Sequence, residues 1–312
     1  MMKTYKGTIC GILAAICYGT NPLGALPLYA EGVNTCSVLF YRFSLAAIIL
    51  GVTLLVQRKS FAVSLQELKV LGMLGMMFAG SSITYYQSFH FMDAGIASTI
   101  LFVYPIMVAA IMALFFHEKI TATTILSIGL ALFGIALLYR GDGGVVLSMT
   151  GIVLVMLSSL FYAVYIVIVN QSSIRMSSLK LTFFVLLFCA SILFMYSLTS
   201  PENHLQLLHT PRAWFFACWL GLVPTVLSLV LMVVAVHEIG ATPTAIMGAL
   251  EPLTAVAVGV FMFGEQMTIR LGIGIVLILT AVLLIVGGKS FHLRTITHSL
   301  SVLVKKTWRW KS

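Results

Sequence analysis

The chain has 312 residues, of which 60% are hydrophobic and only 9% are charged. Because a soluble globular domain carries roughly 25% charged residues, this composition excludes a water-soluble protein and indicates an integral membrane protein. The net charge of +9 does not indicate nucleic-acid binding, since the basic residues are concentrated in short loops and at the chain ends, as membrane topology requires.

Apolar runs of about 20 residues, long enough to cross a bilayer as α-helices, occur ten times along the chain. Short loops separate them, so the sequence predicts an all-α membrane protein with ten transmembrane helices and no separate soluble domain. We refer to them as spans 1 to 10; they cover residues 7–28, 35–57, 67–89, 94–116, 121–139, 149–170, 178–199, 212–236, 241–263 and 268–287.

Span 1 contains a sequence that is unsuited to a continuous helix, namely Gly19-Thr20-Asn21-Pro22 followed by Gly24 and Pro27. The helix should loosen or break near Asn21. Irregular backbone at membrane depth is tolerated where protein or a water-filled cavity surrounds it. We therefore expect Tyr18 and Asn21 to line a central cavity; a frayed outer end of the helix is the alternative.

A single arginine lies inside span 2. Arg42 is about seven residues from the outer end of the span, so roughly 10 Å deep at 1.5 Å per residue. Its side chain is long enough to reach toward Glu251 or to bind a substrate carboxylate. The alternatives are a structural role and an extended side chain whose charge reaches the outer headgroups.

Span 3 carries polar residues at helical spacing. Ser81, Thr84, Tyr85 and Ser88 lie on one face of the predicted helix. A polar stripe in a membrane helix faces protein or water rather than lipid. Ser81, Tyr85 and Ser88 are therefore candidates for the cavity wall, and hydrogen bonding between packed helices is the alternative.

Spans 4 and 9 each contain a central proline, Pro105 and Pro252. Each proline removes a helix hydrogen bond and frees a carbonyl in the middle of the membrane. In one interpretation the freed carbonyls contact substrate; in the other the prolines only kink the helices and shape the bundle. Both interpretations place spans 4 and 9 beside the cavity. Tyr104, next to Pro105, and Tyr162 of span 6 are further cavity candidates.

Glu251 lies ten residues into span 9, which is roughly 15 Å deep and close to the bilayer midplane. An ionised carboxylate facing lipid there is costly, so Glu251 should face a cavity, pair with a cation or be protonated. One interpretation is a proton-coupling or substrate-amine site. The other is a structural hydrogen bond that orients span 9 beside Pro252.

The two halves of the chain share a sequence pattern. Tyr104-Pro105, Phe116-His117-Glu118 and Thr121 recur 147 residues later as Glu251-Pro252, Phe263-Gly264-Glu265 and Thr268, and residues 7–18 match 151–162 at an offset of 144. Thr121 and Thr268 are expected to cap the helices that follow them. Because five helices per half is an odd number, the sequence predicts two inverted five-helix repeats, residues 1–140 and 141–288.

The lysines and arginines predict the orientation. With the amino terminus in the cytoplasm, fourteen of the eighteen basic residues fall on the inside and Arg140, Arg212 and Arg270 fall outside. We expect both termini in the cytoplasm and a bacterial inner membrane as the location.

Residues 289–312 predict a basic amphipathic helix that binds anionic lipid on the inner leaflet, with a solvated tail as the alternative.

The paired proline and glutamate motifs, with Glu251-Pro252-Leu253 and Arg42-Phe43, resemble the EamA-type branch of the drug/metabolite transporter superfamily over about residues 7–287. The resemblance implies a ten-helix carrier that works by alternating access and exports small metabolites. We expect a cavity between spans 1, 3, 4, 6, 8 and 9, and a small organic substrate. Tyr18, Tyr85, Tyr104 and Tyr162 favour an amino acid or an aromatic compound.

The sequence has no phosphate-binding, zinc-protease or nucleophile motif, and its five cysteines form no CxxC pair. We therefore expect no cofactor, no metal and no enzyme activity. An intramembrane lipid-modifying enzyme and a channel or receptor remain as alternatives.

Overall fold

The structure is a computed structural model that describes residues 2–117, 122–139, 148–172, 176–199, 201–239, 244 and 247–284. Most of these residues are helical and none of them lies in a β-strand, which confirms the all-α class for this part of the chain. The predicted amphipathic tail, residues 289–312, lies outside the described residues.

Seven helical segments are long and apolar enough to cross a membrane: Tyr5–Ala30, Thr35–Val56, Leu65–Ser88, Ala94–Phe116, Met149–Val169, Ser178–Ser197 and Pro211–Val236. Three shorter apolar helices, Ile125–Ile135, Leu250–Phe263 and Ile269–Leu284, fall at predicted spans 5, 9 and 10. Large apolar side chains such as Phe261 and Ile269, each 85% exposed, lie on the outside. The chain is therefore a multi-pass integral membrane protein whose outer surface suits lipid.

Several spans are interrupted near their prolines. Span 1 consists of the helices Met2–Gly19 and Asn21–Ala30, separated at Thr20, whose hydroxyl donates to the Cys17 carbonyl at 2.6 Å. Span 4 consists of Ala94–Leu101 and Tyr104–Phe116, and Pro105 occupies the first turn of the second helix, where a missing N–H costs little.

Span 8 contains an interruption that the sequence analysis did not predict. The helices Pro211–Gly221 and Ser228–Ile239 are joined by a π-helical turn, Leu222–Leu227, which contains Pro224. The widened turn lets the Thr225 hydroxyl donate to the carbonyl five residues earlier, at Leu220, over 2.8 Å. Such turns are frequent at functional sites.

Spans 2, 3, 5, 6 and 7 are single helices in the described residues, and side chains cap the starts of spans 2, 3 and 10. Span 2 is Thr35–Val56, where the Asn34 side chain accepts from the Ser37 amide, and span 3 is Leu65–Ser88, where Ser64 and Glu67 form a capping box. The Thr268 hydroxyl accepts from the Leu271 amide at 3.2 Å, as predicted for the start of span 10. Spans 5, 6 and 7 contain Ala122–Tyr139, Met149–Gln171 and Ser178–Ser197.

The helix contacts occur in matching pairs. Span 1 packs against the second helix of span 8, and span 6 packs against span 3; span 2 packs against span 7, and span 4 against span 9. Close approaches match too, since Gly7 lies against Glu238 and Ile239 while Gly151 lies against Phe91 and Met92. The sequence offsets of 144 and 147 relate these two contacts.

A glycine lets spans 3 and 7 approach closely. A Cβ at Gly75 would lie 2.4 Å from Phe188 Cβ, so Gly75→Ala should lower the free energy of unfolding by about 1–3 kcal/mol through overpacking. Gly129→Ala, at a position with no neighbour within 4 Å, is the control and should be neutral or slightly stabilising. Thermal unfolding of both variants in detergent checks this; equal midpoints would contradict the packing.

Candidate functional site

A cavity of about 70 Å³ lies between the two halves of the chain. Since a water molecule needs roughly 10–15 Å³ of such space, the cavity has room for several waters or for part of a small solute. Spans 1, 3, 4, 6, 8 and 9 line it, as expected, and span 2 contributes one residue, Arg42. The lining residues that carry polar side chains are Tyr18, Arg42, Ser81, Ser82, Tyr85, Tyr86, Tyr104, Tyr162, Ser228, Thr244 and Glu251.

Arg42 is held in a fixed position inside the protein. Its side chain is only 3% exposed; Nη1 donates to the Tyr86 hydroxyl at 2.6 Å, and Nε donates to Thr225 Oγ1 at 2.9 Å. The guanidinium carbon lies 5.4 Å from the ring centroids of both Phe43 and Tyr86, within cation–π range. The charge therefore faces the cavity and does not reach the outer headgroups.

Two residues that accept hydrogen bonds from Arg42 were not among the predicted cavity residues. Thr225 belongs to the π-helical turn of span 8, and Pro224 was the only sequence signal for that turn. Tyr86 is fully buried, and its hydroxyl also donates to Asn21 Oδ1 at 3.0 Å. Tyr86 thus joins the broken part of span 1 to the arginine of span 2.

Two predicted cavity residues do not line the cavity. Asn21 lies behind Tyr86, because its Oδ1 accepts from the Tyr86 hydroxyl and its Nδ2 donates to the Tyr18 carbonyl at 2.7 Å. Ser88 is fully buried, and its hydroxyl donates to the Tyr85 carbonyl at 2.6 Å, a local bond that serines often make in helices. Both residues support the wall from behind.

Aromatic rings form one wall of the cavity. Tyr104 and Tyr162 meet edge to face with ring centroids 4.7 Å apart, and Phe78 lies 6.1 Å from Tyr162. We call Phe78, Tyr104 and Tyr162 the aromatic wall. The Tyr85 hydroxyl is hydrogen-bonded to Ser98 Oγ at 2.5 Å. This bond holds Tyr85 of span 3 against span 4. Ser81 is fixed likewise, by a 3.0 Å hydrogen bond to Ser158 of span 6.

Glu251 lines the same cavity as Arg42. The ion pairs among the described residues are Lys6–Glu238 and Glu31–Arg212, both away from this cavity. Glu251 and Arg42 therefore face one small space and form no direct ion pair. The position related to Glu251 by the 147-residue offset is Tyr104, so the two halves present a carboxyl group and a phenol to the cavity.

The described residues contain no group of three or more histidine, cysteine, aspartate or glutamate side chains that could hold a metal ion. The polar groups of the cavity are one guanidinium, one carboxyl and several hydroxyls. Such a set can bind a small molecule that carries charges of both signs, through charge-assisted hydrogen bonds.

Comparisons with known proteins agree with this description. Residues 5–140 and 149–287 match the sequence model described as the EamA-like transporter family. An uncharacterized transporter from Archaeoglobus fulgidus is 27% identical over 201 residues, which cover 64% of this chain and 70% of the relative. A protein of known crystal structure has a similar fold, with a TM-score of 0.64, 16% identity, and coverage of 89% of this chain and 95% of that one.

Proposed function

Because this chain belongs to the EamA-like transporter family, within the drug/metabolite transporter superfamily, we propose that it is a secondary-active carrier of a small organic metabolite. The carrier works by alternating access around the central cavity, and export is the proposed direction. The observation that carries the proposal is that a guanidinium, Arg42, and a carboxyl group, Glu251, face one cavity without forming an ion pair.

The substrate class follows from the chemistry of the cavity. An amino acid would place its carboxylate on the guanidinium of Arg42 and its ammonium group on Glu251, and each contact would be a charge-assisted hydrogen bond. The aromatic wall would then contact an apolar or aromatic side chain. Arg42 retains donors for this contact because it has five N–H groups and its hydrogen-bond partners are Tyr86, Thr225 and Tyr18.

Paired contacts support the proposal of two inverted five-helix repeats. The Ser228 hydroxyl donates to the Ala14 carbonyl at 3.0 Å, and the Ser158 hydroxyl donates to the Ser81 carbonyl at 2.7 Å. The offsets of 144 and 147 relate Ala14 to Ser158 and Ser81 to Ser228, so one bond is the counterpart of the other. Many secondary carriers are built from inverted repeats around a central site.

Cysteine labelling tests the inverted arrangement. Phe91 and Glu238 are related by the 147-residue offset, so single cysteines placed there should react with an impermeant thiol reagent from opposite sides of the membrane. With both termini in the cytoplasm of a bacterium, as the basic residues favour, Phe91→Cys reacts from outside and Glu238→Cys from inside. The five native cysteines are replaced first; labelling of both positions from the same side would exclude inverted repeats.

Counterflow in proteoliposomes tests the function itself. Vesicles loaded with an unlabelled amino acid should take up the same labelled compound faster than empty vesicles, because a carrier returns faster when it is loaded. The amide of that amino acid, which lacks the carboxylate, and the deaminated acid, which lacks the amine, should both fail. Uptake without stimulation would indicate a channel, and chemical conversion of the solute would indicate an enzyme.

A further inference from the structure

The end of span 9 folds back on itself at a glycine. The helix Leu250–Phe263 is followed by Gly264, whose φ of +68° lies in the left-handed region that favours glycine. The next amide, of Glu265, donates to the Gly259 carbonyl at 3.1 Å. This turn directs the Glu265 side chain back along span 9 toward span 4.

The Glu265 carboxylate caps a helix of the opposite half. Its Oε1 accepts from the Ala94 amide at 2.8 Å and its Oε2 from the Gly95 amide at 3.2 Å. These are the first two amides of span 4, where a carboxylate is favoured by the helix dipole. Asp93, the residue in the N-cap position, makes no capping bond with its own side chain, so the acceptor comes from span 9.

Two glycines make this contact possible. A Cβ at Gly259 would lie 2.0 Å from Glu265 Oε2, and a Cβ at Gly95 would lie 2.8 Å from the Cα of Val256. Spans 4 and 9 therefore touch backbone to backbone at this end, with the carboxylate lying over Gly259. We call the two hydrogen bonds that the Ala94 and Gly95 amides donate to the Glu265 carboxylate the clasp.

The charge of Glu265 is only partly compensated in the clasp. Burial and the negative charge of Asp93 raise the pKa of the Glu265 carboxyl, while the two amide hydrogen bonds lower it. Asp93, half-buried beside it, also has its pKa raised by burial. The two amides thus offset only part of the cost of removing a carboxylate from water. Because the net stabilisation is small, a conformational change can break these hydrogen bonds.

We propose that the clasp is the gate at one end of the cavity, and that it must open before a solute can enter or leave at that end. Spans 4 and 9 both line the cavity, with Tyr104 and Glu251, so their separation at the clasp exposes it. In the proposed orientation this is the outer end. The assignment of a gate rests on the proposed carrier function.

The accessibility of a cavity residue tests the gate without any substrate. Ser82 lines the cavity. In a protein that lacks the native cysteines, the labelling rate of Ser82→Cys reports how fast an impermeant thiol reagent enters the cavity from outside. Glu265→Gln should raise the outside labelling rate about fivefold or more, because a hydrogen-bonded charge is lost. Gly259→Ala should do the same, since the new methyl group displaces the carboxylate while the charge stays.

Glu202→Gln is the matched control, because it removes an exposed acid outside the clasp and should leave the rate unchanged. An unchanged rate in both clasp variants, with protein inserted at the normal level, would overturn the gate, as would an equal rise in the control. If labelling responds as expected but counterflow is absent for every solute, the clasp still gates the cavity and the carrier function is what fails.

Discussion

Replacing Glu251 with glutamine should abolish accumulation driven by a pH gradient and leave substrate exchange largely intact. Glu251 lines the cavity and has no ion-pair partner among the described residues, so its carboxyl group is free to take up a proton in one facing state and release it in the other. Glutamine keeps the shape and a hydrogen-bonding group but cannot titrate. Exchange needs no net proton movement and should therefore survive.

The measurement is uptake into proteoliposomes with and without an imposed pH gradient. Tyr104→Phe is the matched control, because Tyr104 is the counterpart of Glu251 in the first half and also lines the cavity. This control should keep gradient-driven accumulation. If Glu251→Gln still concentrates substrate in response to the gradient, Glu251 has a structural role and any coupling group lies elsewhere.

Replacing Arg42 should weaken substrate binding more than any other single change in the cavity. Arg42→Lys keeps the charge, but an ammonium group cannot reproduce the fork that donates to Tyr86 and Thr225 while it faces the cavity. Arg42→Met also removes the charge. Loss of a hydrogen bond to a charged group is worth about 1.5–3 kcal/mol, so half-saturation of exchange should require at least about tenfold more substrate.

The control for Arg42 separates binding from positioning. Tyr86→Phe removes one acceptor but keeps the guanidinium and its bond to Thr225, so its effect on half-saturation should be smaller than that of Arg42→Lys. Thermal unfolding midpoints in detergent show whether each variant remains folded. If a folded Arg42→Met protein exchanges substrate with the normal concentration dependence, the guanidinium does not bind the carboxylate.

The seven helices long enough to cross a membrane were predictable from the sequence, because lipid leaves few alternatives to an apolar helix of about 20 residues. The break at Thr20 was predictable too, since glycine and proline cluster there. Seven candidate residues that line the cavity were found because polar groups are rare in such helices and must face protein or water.

The errors have physical reasons. Asn21 and Ser88 were placed in the cavity because a sequence shows which helix a polar residue belongs to but not how that helix is rotated. Tyr86 was missed because it lies beside the polar stripe of span 3 rather than on it. The π-helical turn at Thr225 depends on the bond to Leu220 and on Arg42, a contact between spans that no local pattern encodes. The role of Glu265 was missed for the same reason, since its partners belong to span 4.

Protection of a cavity residue by substrate is the most direct test of the central claim, that the space between Arg42, Glu251 and the aromatic wall is the transport site. Ser82→Cys, in the protein without native cysteines, is treated with a small thiol reagent in the presence and absence of an amino acid that shows counterflow. We expect the amino acid to slow the modification and the modified protein to lose counterflow. Modification at the same rate with substrate present, in a protein that continues to exchange afterwards, would show that the substrate passes elsewhere.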